Sequence, residues 1–296
     1  MLQPTNPEFS RNLGFFSLEE QRYLNESAVV IAGAGGDGGM LAVQLARLGV
    51  GELRLADPDP FEAENINRQA CCTTETIGVN KAQAVGDYIK AINPNIKVVV
   101  EQRGIQPDTI DEFMDGADLL IDETEFTMHA LGVMLARKAR QLDMPNLMVM
   151  NIGFGATATT FHPQGETFEQ MLGISESMPI QEVAEQQIEL DRWLPYLAPY
   201  IDIDMLQKVA TGEKSAPSVA PGVALAASIG AVQATMNLFE GMDNNRPKPV
   251  YFGDVFAIDA MTRESRIIDN PVQSYYEYLD KIVQANQEGK APKVSY

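Results

Sequence analysis

Five glycines follow a short apolar segment near the start of the chain. Residues 29–39 read Val-Val-Ile-Ala-Gly-Ala-Gly-Gly-Asp-Gly-Gly, and an apolar stretch with helical spacing follows from Met40 to Leu48. Glycine has no Cβ, so such a turn lets the backbone approach a ligand, at which the first N–H groups of the helix then point. The sequence therefore predicts a phosphate- or nucleotide-binding loop at Gly33, Gly35, Gly36 and Gly38. A tight turn required only for packing is the alternative.

An acidic residue stands nineteen positions after Gly38, where a second strand ends at Asp57. In dinucleotide-binding domains an acid at this place accepts hydrogen bonds from ribose hydroxyls. The glycines and Asp57 by themselves indicate a nicotinamide-dependent enzyme.

Three cationic residues favour a different chemistry. Arg68 lies in the segment Asn65-Ile-Asn-Arg-Gln69, Lys81 follows thirteen residues later, and Arg11 precedes the first strand. A guanidinium and an ammonium beside a glycine loop supply charge for a polyphosphate. A nicotinamide-dependent enzyme binds one pyrophosphate group and has no evident need for three further cationic side chains. An enzyme that cleaves ATP between the α- and β-phosphates needs them, because charge develops on the departing pyrophosphate.

These motifs together resemble the ThiF/HesA/MoeB family of ATP-dependent activating enzymes, which are related to ubiquitin-activating enzymes. The resemblance covers residues 8–160 well and extends more weakly to residue 240. The matching segments are Ser10-Arg-Asn12, Gly33-Ala-Gly-Gly-Asp-Gly38, Asp57-Pro-Asp59, Asn65-Ile-Asn-Arg-Gln69, Gly78 to Ala82, Ile92-Asn-Pro94, Leu119–Asp122 and a Gly/Ala-rich helix over Pro221–Phe239.

The resemblance implies a reaction and a set of site residues. A C-terminal glycine carboxylate of a ubiquitin-like protein or peptide attacks the α-phosphate of Mg-ATP, which gives an acyl adenylate and pyrophosphate. Asp57 is expected to hold the ribose, and Asn65, Arg68 and Lys81 the phosphates. Arg11 is expected to reach the nucleotide of a partner subunit, which implies a homodimer. The predicted nucleotide-binding residues are Gly33, Gly35, Gly36, Gly38, Asp57, Asp59, Asn65, Arg68, Gln69, Lys81 and Asp122, and the predicted catalytic residues are Arg11, Arg68, Lys81 and Glu125.

The chain departs from the family pattern at several places. Glu125 stands where the family has an Asp associated with magnesium, and its longer side chain can still offer oxygen to Mg²⁺. Asp37 puts a negative charge inside the glycine loop, where it favours the helix N-terminus if it faces outward and opposes ATP if it faces inward. The only cysteines are the adjacent pair Cys71 and Cys72. We expect this pair to be half-buried on a helix, with no zinc site and no thioester cysteine in the chain.

Two other interpretations remain beside the adenylyltransferase. The first is a degenerate, non-catalytic family member that binds a nucleotide or a partner, which Glu125, Asp37 and the missing cysteine favour. The second is a nicotinamide-dependent enzyme, which only the glycine loop and Asp57 support.

Composition limits the class of partner. The 296 residues carry 22 Lys and Arg against 41 Asp and Glu, a formal net charge of −19. A nucleic-acid partner is therefore not expected, because binding one requires a basic surface. No apolar run reaches the length of a membrane span and the first residues lack the pattern of a signal peptide, so we expect a cytoplasmic protein with no membrane partner.

Alternating strand and helix patterns predict the elements that position these residues. The expected fold is α/β, a Rossmann-like, mostly parallel sheet flanked by helices, with a helical insertion and a C-terminal β-hairpin and helix. Within one ThiF/MoeB-like domain spanning 1–296, we expect an N-terminal arm (1–27), a nucleotide-binding core (28–162), the insertion (163–212) and a C-terminal part (213–296). In the insertion, 167–189 and 194–209 have helical spacing.

Overall fold

Eight strands form one mixed sheet in the computed structural model, which describes residues 7–242 and 245–289. Its spatial order is β3-β2-β1-β4-β5-β6-β7-β8, in which the first five strands are parallel and the last three antiparallel. The predicted mostly parallel, Rossmann-like sheet is confirmed. The strands are β1 Ala28–Ala32, β2 Glu52–Ala56, β3 Lys97–Glu101, β4 Leu119–Asp122, β5 Asn146–Ile152, β6 Gly155–Phe161, β7 Val255–Asp259 and β8 Glu264–Ile268.

Eleven α-helices flank the sheet within the described ranges. None of them is both long and apolar enough to cross a membrane. The helices are α1 Leu18–Glu26, α2 Gly36–Leu48, α3 Lys81–Ile92, α4 Ile110–Met114, α5 His129–Gln141, α6 Phe168–Leu172, α7 Ile180–Val183, α8 Leu190–Trp193, α9 Ile203–Ala210, α10 Ala220–Leu238 and α11 Pro271–Gln287.

The central strands are buried on both faces. All five residues of β1 are buried, which is typical of a parallel strand covered by helices on each side. Val29 and Ile31 face the cluster formed with α2, α3 and α10, whereas Val30 faces the cluster formed with α4 and α5. This arrangement leaves the carboxyl ends of the strands as the edge at which loops can build a site.

Helix α10 packs closely against the sheet and α2 because it carries glycines at its contacts. A Cβ at Gly230 would lie 2.6 Å from Cδ1 of Leu41, and a Cβ at Gly222 would overlap the carbonyl oxygen of Gly153. The Gly/Ala-rich helix expected at 221–239 is thus present as α10, and its first turn lies against the turn between β5 and β6.

The insertion differs from its prediction. Instead of helices over 167–189 and 194–209, residues 163–212 form the four short helices α6 to α9. Gly173 ends α6 in the left-handed conformation, with φ of +72°. Pro179 and Pro195 each stand at a break, since proline removes a helical N–H and disfavours a helical conformation in the residue before it.

The finer division of the chain into four segments stays a prediction. The described part of the expected arm forms a 3₁₀ helix, Pro7–Asn12, followed by α1, while residues 1–6 lie outside the described ranges.

Candidate functional site

The glycine loop joins β1 to α2 at the carboxyl edge of the sheet. Gly33 has φ of +101°, and its N–H donates to the carbonyl oxygen of Ala56 at 2.8 Å. A Cβ at Gly33 would overlap the backbone of Glu123, and one at Gly38 would overlap the carbonyl oxygen of Gly33. These two positions therefore require glycine on packing grounds, whatever the loop binds.

Gly35 and Gly36 have more room. A Cβ at Gly35 would lie 3.6 Å from the Gln69 side-chain nitrogen, and one at Gly36 would lie 3.4 Å from Val223 of α10. Gly35 is the N-cap of α2 and has no side chain to cap the helix. The first N–H groups of α2 are thus left for a ligand.

Asp57 is buried directly after β2 and holds the loop in place. Its Oδ2 accepts from the backbone N–H of Ala34 at 2.8 Å, and its Oδ1 accepts from that of Asp59 at 2.9 Å. Burial raises the pKa of Asp57, and the positive charge of Lys81 opposes the increase. Each carboxylate oxygen can accept more than one hydrogen bond, so contact with a ribose remains open to it.

Lys81 lies beside Asp59 because the backbones of these two residues are hydrogen bonded to each other. The N–H of Lys81 donates to the carbonyl oxygen of Asp59 at 2.8 Å, and Nζ pairs with Asp59 Oδ2 at 3.0 Å. Asn80 caps the helix that Lys81 begins. The Lys81 side chain is only 13% exposed, so its position is fixed by the fold.

Arg68 lies on the segment that follows the 3₁₀ helix Ala63–Asn65. Its Nη1 donates to Asn67 Oδ1 at 3.0 Å and to the carbonyl oxygen of Glu64 at 3.2 Å. No ion pair among the described residues involves it. Its charge nevertheless lowers the pKa of Asp37, against the larger effect of burial, so Arg68 lies within electrostatic range of the loop.

Asn65 and Gln69, the polar neighbours of Arg68, are both buried. Asn65 Oδ1 accepts from the N–H of Glu62 at 2.9 Å, which shapes the turn. Gln69 Oε1 has no hydrogen-bond partner within the part of the chain that the structure describes. Since the Gln69 amide faces Gly35, it borders the predicted phosphate loop.

Asp37 faces inward, toward the end of β5. Its Oδ2 accepts from the backbone N–H of Asn151 at 3.0 Å and from Asn151 Nδ2 at 2.7 Å. Asn151 Oδ1 accepts in turn from the hydroxyl of Ser218 at 2.7 Å. Burial raises the pKa of Asp37 to about 6. Asp37 thus links the glycine loop to β5 and to the segment before α10, a role that the sequence did not indicate.

Glu123 is a half-buried acid at the loop, with its Oε1 atom buried, and it was not among the predicted site residues. Its Oε1 has no partner among the described side chains and backbone groups. Burial raises the pKa of Glu123 well above its usual value, and the charges of Asp37 and Asp122 add to that effect. The feature of the sequence that could have identified Glu123 is its position beside Asp122, directly after the buried strand β4.

Asp122 and Glu125 point to different places. Asp122 is buried, its Oδ1 accepts from the hydroxyl and N–H of Thr124 at 2.6 and 3.0 Å, and its Oδ2 faces Gly132 of α5. Glu125 is exposed at the start of the 3₁₀ helix Phe126–Met128. The structure therefore does not bring these two carboxylates together. Mg²⁺ is commonly bound through one or two carboxylates plus substrate phosphates, and the exposed Glu125 fits that donor set.

Cys71 and Cys72 are buried in a segment that is not helical, so the expectation of a half-buried pair on a helix is wrong. Burial raises the pKa of the Cys71 thiol to about 11, and it also raises that of Cys72. Because the thiolate is the nucleophile, neither residue is suited to form a thioester. The described residues contain no cluster of His, Cys, Asp and Glu that could hold a metal.

Arg11 lies far from the glycine loop of its own chain. It is exposed on the 3₁₀ helix Pro7–Asn12, and Asn12 Nδ2 donates to the carbonyl oxygen of Leu48 at 3.2 Å, the last residue of α2. The glycine loop is at the first residue of the same helix. Thirteen helical residues span about 20 Å, so the 3₁₀ helix that carries Arg11 lies about one length of α2 from the glycine loop of its own chain.

Known proteins resemble this chain in sequence and in fold. The model of the ThiF family matches residues 9–272. The maize protein adenylyltransferase and sulfurtransferase MOCS3-1 is 31% identical over 150 residues, which cover 51% of this chain and 32% of that protein. The tRNA threonylcarbamoyladenosine dehydratase of Bacillus subtilis is 30% identical over 155 residues, 52% of this chain and 60% of that protein. The chain thus spans from a third to three fifths of the length of these relatives.

A solved structure has the same fold. Escherichia coli MccB in complex with ATP superimposes with a TM-score of 0.65 at 20% identity, covering 89% of this chain and 71% of MccB. MccB has also been solved with AMPCPP and MccA.

Proposed function

Because this chain belongs to the ThiF family, we propose that it is an ATP-dependent adenylyltransferase that activates a carboxylate as an acyl adenylate and releases pyrophosphate. The observation that carries the proposal is geometric. Asp57 accepts from the N–H of Ala34 in the glycine loop at 2.8 Å, and Asp59, two residues later, pairs with Lys81 at 3.0 Å, so an ammonium lies beside the loop. Arg68 directly precedes Gln69, whose amide faces Gly35 of the same loop.

The chain's own groups suit this reaction. The free N–H groups at Gly35 and Gly36 bind phosphate oxygens, and Asp57 orients the ribose. An oxygen of the substrate carboxylate forms a bond to the α-phosphorus, and the bond from that phosphorus to the pyrophosphate oxygen breaks. Arg68 and Lys81 stabilise the charge that grows on the departing pyrophosphate. Asp59 keeps the Lys81 ammonium in position through its 3.0 Å ion pair.

Magnesium would be held by Glu125 together with the phosphates, and it would neutralise phosphate charge during the transfer. The Glu125 side chain is one methylene group longer than the Asp that the family resemblance leads one to expect, and it is exposed at the start of the 3₁₀ helix Phe126–Met128.

We propose as substrate the C-terminal glycine carboxylate of a peptide or ubiquitin-like protein. The resemblance of the sequence motifs and the structural likeness to MccB, which has been solved with MccA, support this class. The buried thiols of Cys71 and Cys72 support an enzyme that does not form its own thioester.

Adenylate formation tests the proposal. The protein is incubated with Mg-ATP and a panel of peptides that end in glycine, and the acyl adenylate is detected by mass spectrometry. We expect an adenylate only when both ATP and a free C-terminal carboxylate are present, with C-terminally amidated peptides as the matched control. Calorimetry showing much tighter binding of NAD than of Mg-ATP would instead support the nicotinamide-dependent enzyme.

One observation favours a second candidate, a nucleotide-binding protein without catalysis. Asp37 and Glu123 put two buried carboxyl groups beside the predicted phosphate loop, and each has an oxygen without a partner among the described residues. Ionisation of both would oppose the negative charge of ATP. Binding of Mg-ATP without adenylate formation for any carboxylate would establish this candidate in place of the enzyme.

A further inference from the structure

The guanidinium of Arg68 is held at one of its three nitrogens. Both hydrogen bonds that Arg68 donates from its side chain start at Nη1, one to Asn67 Oδ1 at 3.0 Å and one to the carbonyl oxygen of Glu64 at 3.2 Å. Within residues 7–242 and 245–289, no group accepts from Nε or Nη2 of Arg68. The edge of the guanidinium that Nε and Nη2 form is therefore left to donate to another molecule.

This edge has the donor geometry that a phosphate group requires. The guanidinium is planar, and the N–H groups on one edge form a fork that binds two oxygens of the same phosphate. The two groups that hold Nη1 are a carboxamide oxygen and a backbone carbonyl oxygen, which are both uncharged. They fix the orientation of the guanidinium and leave its positive charge without an ionic partner.

The carboxamide of Asn67 is fixed at its other end as well. Asn67 Nδ2 donates to the carbonyl oxygen of Ser218 at 3.0 Å, in the segment before α10. Because this carbonyl group engages the nitrogen, the oxygen of the carboxamide is the atom that faces Arg68. The reverse orientation would place Nδ2 against Nη1, which are both donors. The side chain of Asn67 is thus a spacer of defined orientation between Arg68 and Ser218.

Ser218 connects this spacer to the glycine loop. Its hydroxyl donates to Asn151 Oδ1 at 2.7 Å, and Asn151 Nδ2 donates to Asp37 Oδ2 at 2.7 Å. Asp37 is the second residue of α2, the helix that the glycine loop begins. A continuous series of polar contacts therefore joins Arg68 to the loop, and Asn67 is its first member.

We propose that Asn67 is a positioning residue for adenylation, which orients Arg68 so that the edge formed by Nε and Nη2 binds oxygens of the departing pyrophosphate. This inference rests on the proposed function, since it requires a polyphosphate at the glycine loop. Asn67 acts through Arg68, because both polar ends of its own carboxamide are already engaged by the protein.

A double-mutant cycle, measured by exchange of pyrophosphate with ATP, tests this role. Asn67→Ala should lower the exchange rate about tenfold, the effect of losing one hydrogen bond to a charged group, with a smaller change in the calorimetric affinity for Mg-ATP. In the Arg68→Ala background the same substitution should have little further effect, because no guanidinium is left to orient. Asn95→Ala is the matched control and should exchange like the parent, since Asn95 is exposed in the turn before β3.

Two results would overturn the proposal while leaving the proposed function in place. The first is exchange by Asn67→Ala at the parent's rate. The second is a double variant in which the two losses multiply in full, because Asn67 would then act independently of Arg68. Asn67 is exposed, so its variant should unfold at the parent's temperature, which separates a loss of positioning from a loss of structure. A parent that shows no exchange with any carboxylate would instead remove the proposed function, and this inference with it.

Discussion

At the scale of single residues, Asp37 has an environment that opposes its charge. It lies in the first turn of α2, where a carboxylate is normally favourable, but it is buried and faces β5. Two hydrogen bonds from Asn151 and the charge of Arg68 offset only part of the desolvation, so its pKa is raised to about 6. Asp37 therefore binds a proton more tightly in the folded chain than in the unfolded chain.

This environment predicts the sign of a pH dependence. A raised pKa in the folded state means that the contribution of Asp37 to the free energy of unfolding is largest at low pH and is lost as the pH rises through the folded pKa. Relative to Asp37→Asn, the parent should lose about 1 kcal/mol of unfolding free energy between about pH 5 and pH 7.5. Urea unfolding of both proteins across this range measures the difference. A difference that is constant or grows with pH contradicts the burial of Asp37 as an acid.

Spacing along the chain predicted Asp57, Arg68 and Lys81 as neighbours of the glycine loop, because each follows a strand end or a turn whose residue types are distinctive. Glu123, which directly follows β4, had the same kind of signal, but Asn151 could not be predicted in this way. Asn151 lies in β5, two strands from β1, so its contact with Asp37 depends on the order of the strands in the sheet rather than on local pattern.

At the scale of elements, the start of α10 is held close to the turn between β5 and β6. Gly222 lies against the carbonyl oxygen of Gly153, and Ser218 joins Asn151 just before the helix. Asn67 Nδ2 donates to the carbonyl oxygen of Ser218 at 3.0 Å, which ties the segment of Arg68 to the same place. The position of α10 is thus coupled to the residues that border the glycine loop.

Substitution of Gly222 tests this coupling. Gly222→Ala should destabilise the chain by about 1–3 kcal/mol, because the added methyl forces the helix and the turn apart. Ser228→Ala, an exposed change on the same helix, is the control and should stay within about 0.5 kcal/mol of the parent. Thermal or urea unfolding gives both values. Equal stability of Gly222→Ala and the parent would contradict the close approach.

The elements of the core were predicted more accurately than those of the insertion. Buried β-branched segments and amphipathic stretches identify β1 and α2 whatever their partners are. In residues 163–212 the helical spacing is present, but glycine and proline interrupt it and each short helix depends on packing against α5 or α11. The periodicity of apolar residues alone could therefore not predict where each of these short helices begins and ends.

At the scale of the whole molecule, the position of Arg11 bears on the predicted homodimer. Its helix packs at the far end of α2 from the glycine loop of the same chain. If Arg11 contacts a nucleotide, that nucleotide is bound by another copy, and a two-fold dimer gives each copy one such contact.

Mixing two variants tests the dimer. Arg11→Ala and Arg68→Ala should each be defective in adenylate formation by themselves. In a mixed dimer, the site on the Arg11→Ala chain keeps its own Arg68 and receives Arg11 from its partner. After exchange of subunits, about a quarter of the sites should regain full activity, if subunits pair at random. Activity that does not rise on mixing, or a monomer by light scattering that forms adenylate at the full rate, would contradict the dimer.

The central claim, that this chain forms an acyl adenylate from ATP, is tested most directly by isotope exchange between pyrophosphate and ATP in the presence of the substrate carboxylate. Arg68 and Lys81 are proposed to stabilise charge on the departing pyrophosphate, so Arg68→Ala and Lys81→Ala should lower the exchange rate about 10²–10³-fold with a smaller change in ATP affinity. Arg103→Ala, which removes an exposed arginine paired with Glu101, is the control and should exchange like the parent. Exchange by Arg68→Ala and Lys81→Ala at the parent's rate would contradict the account.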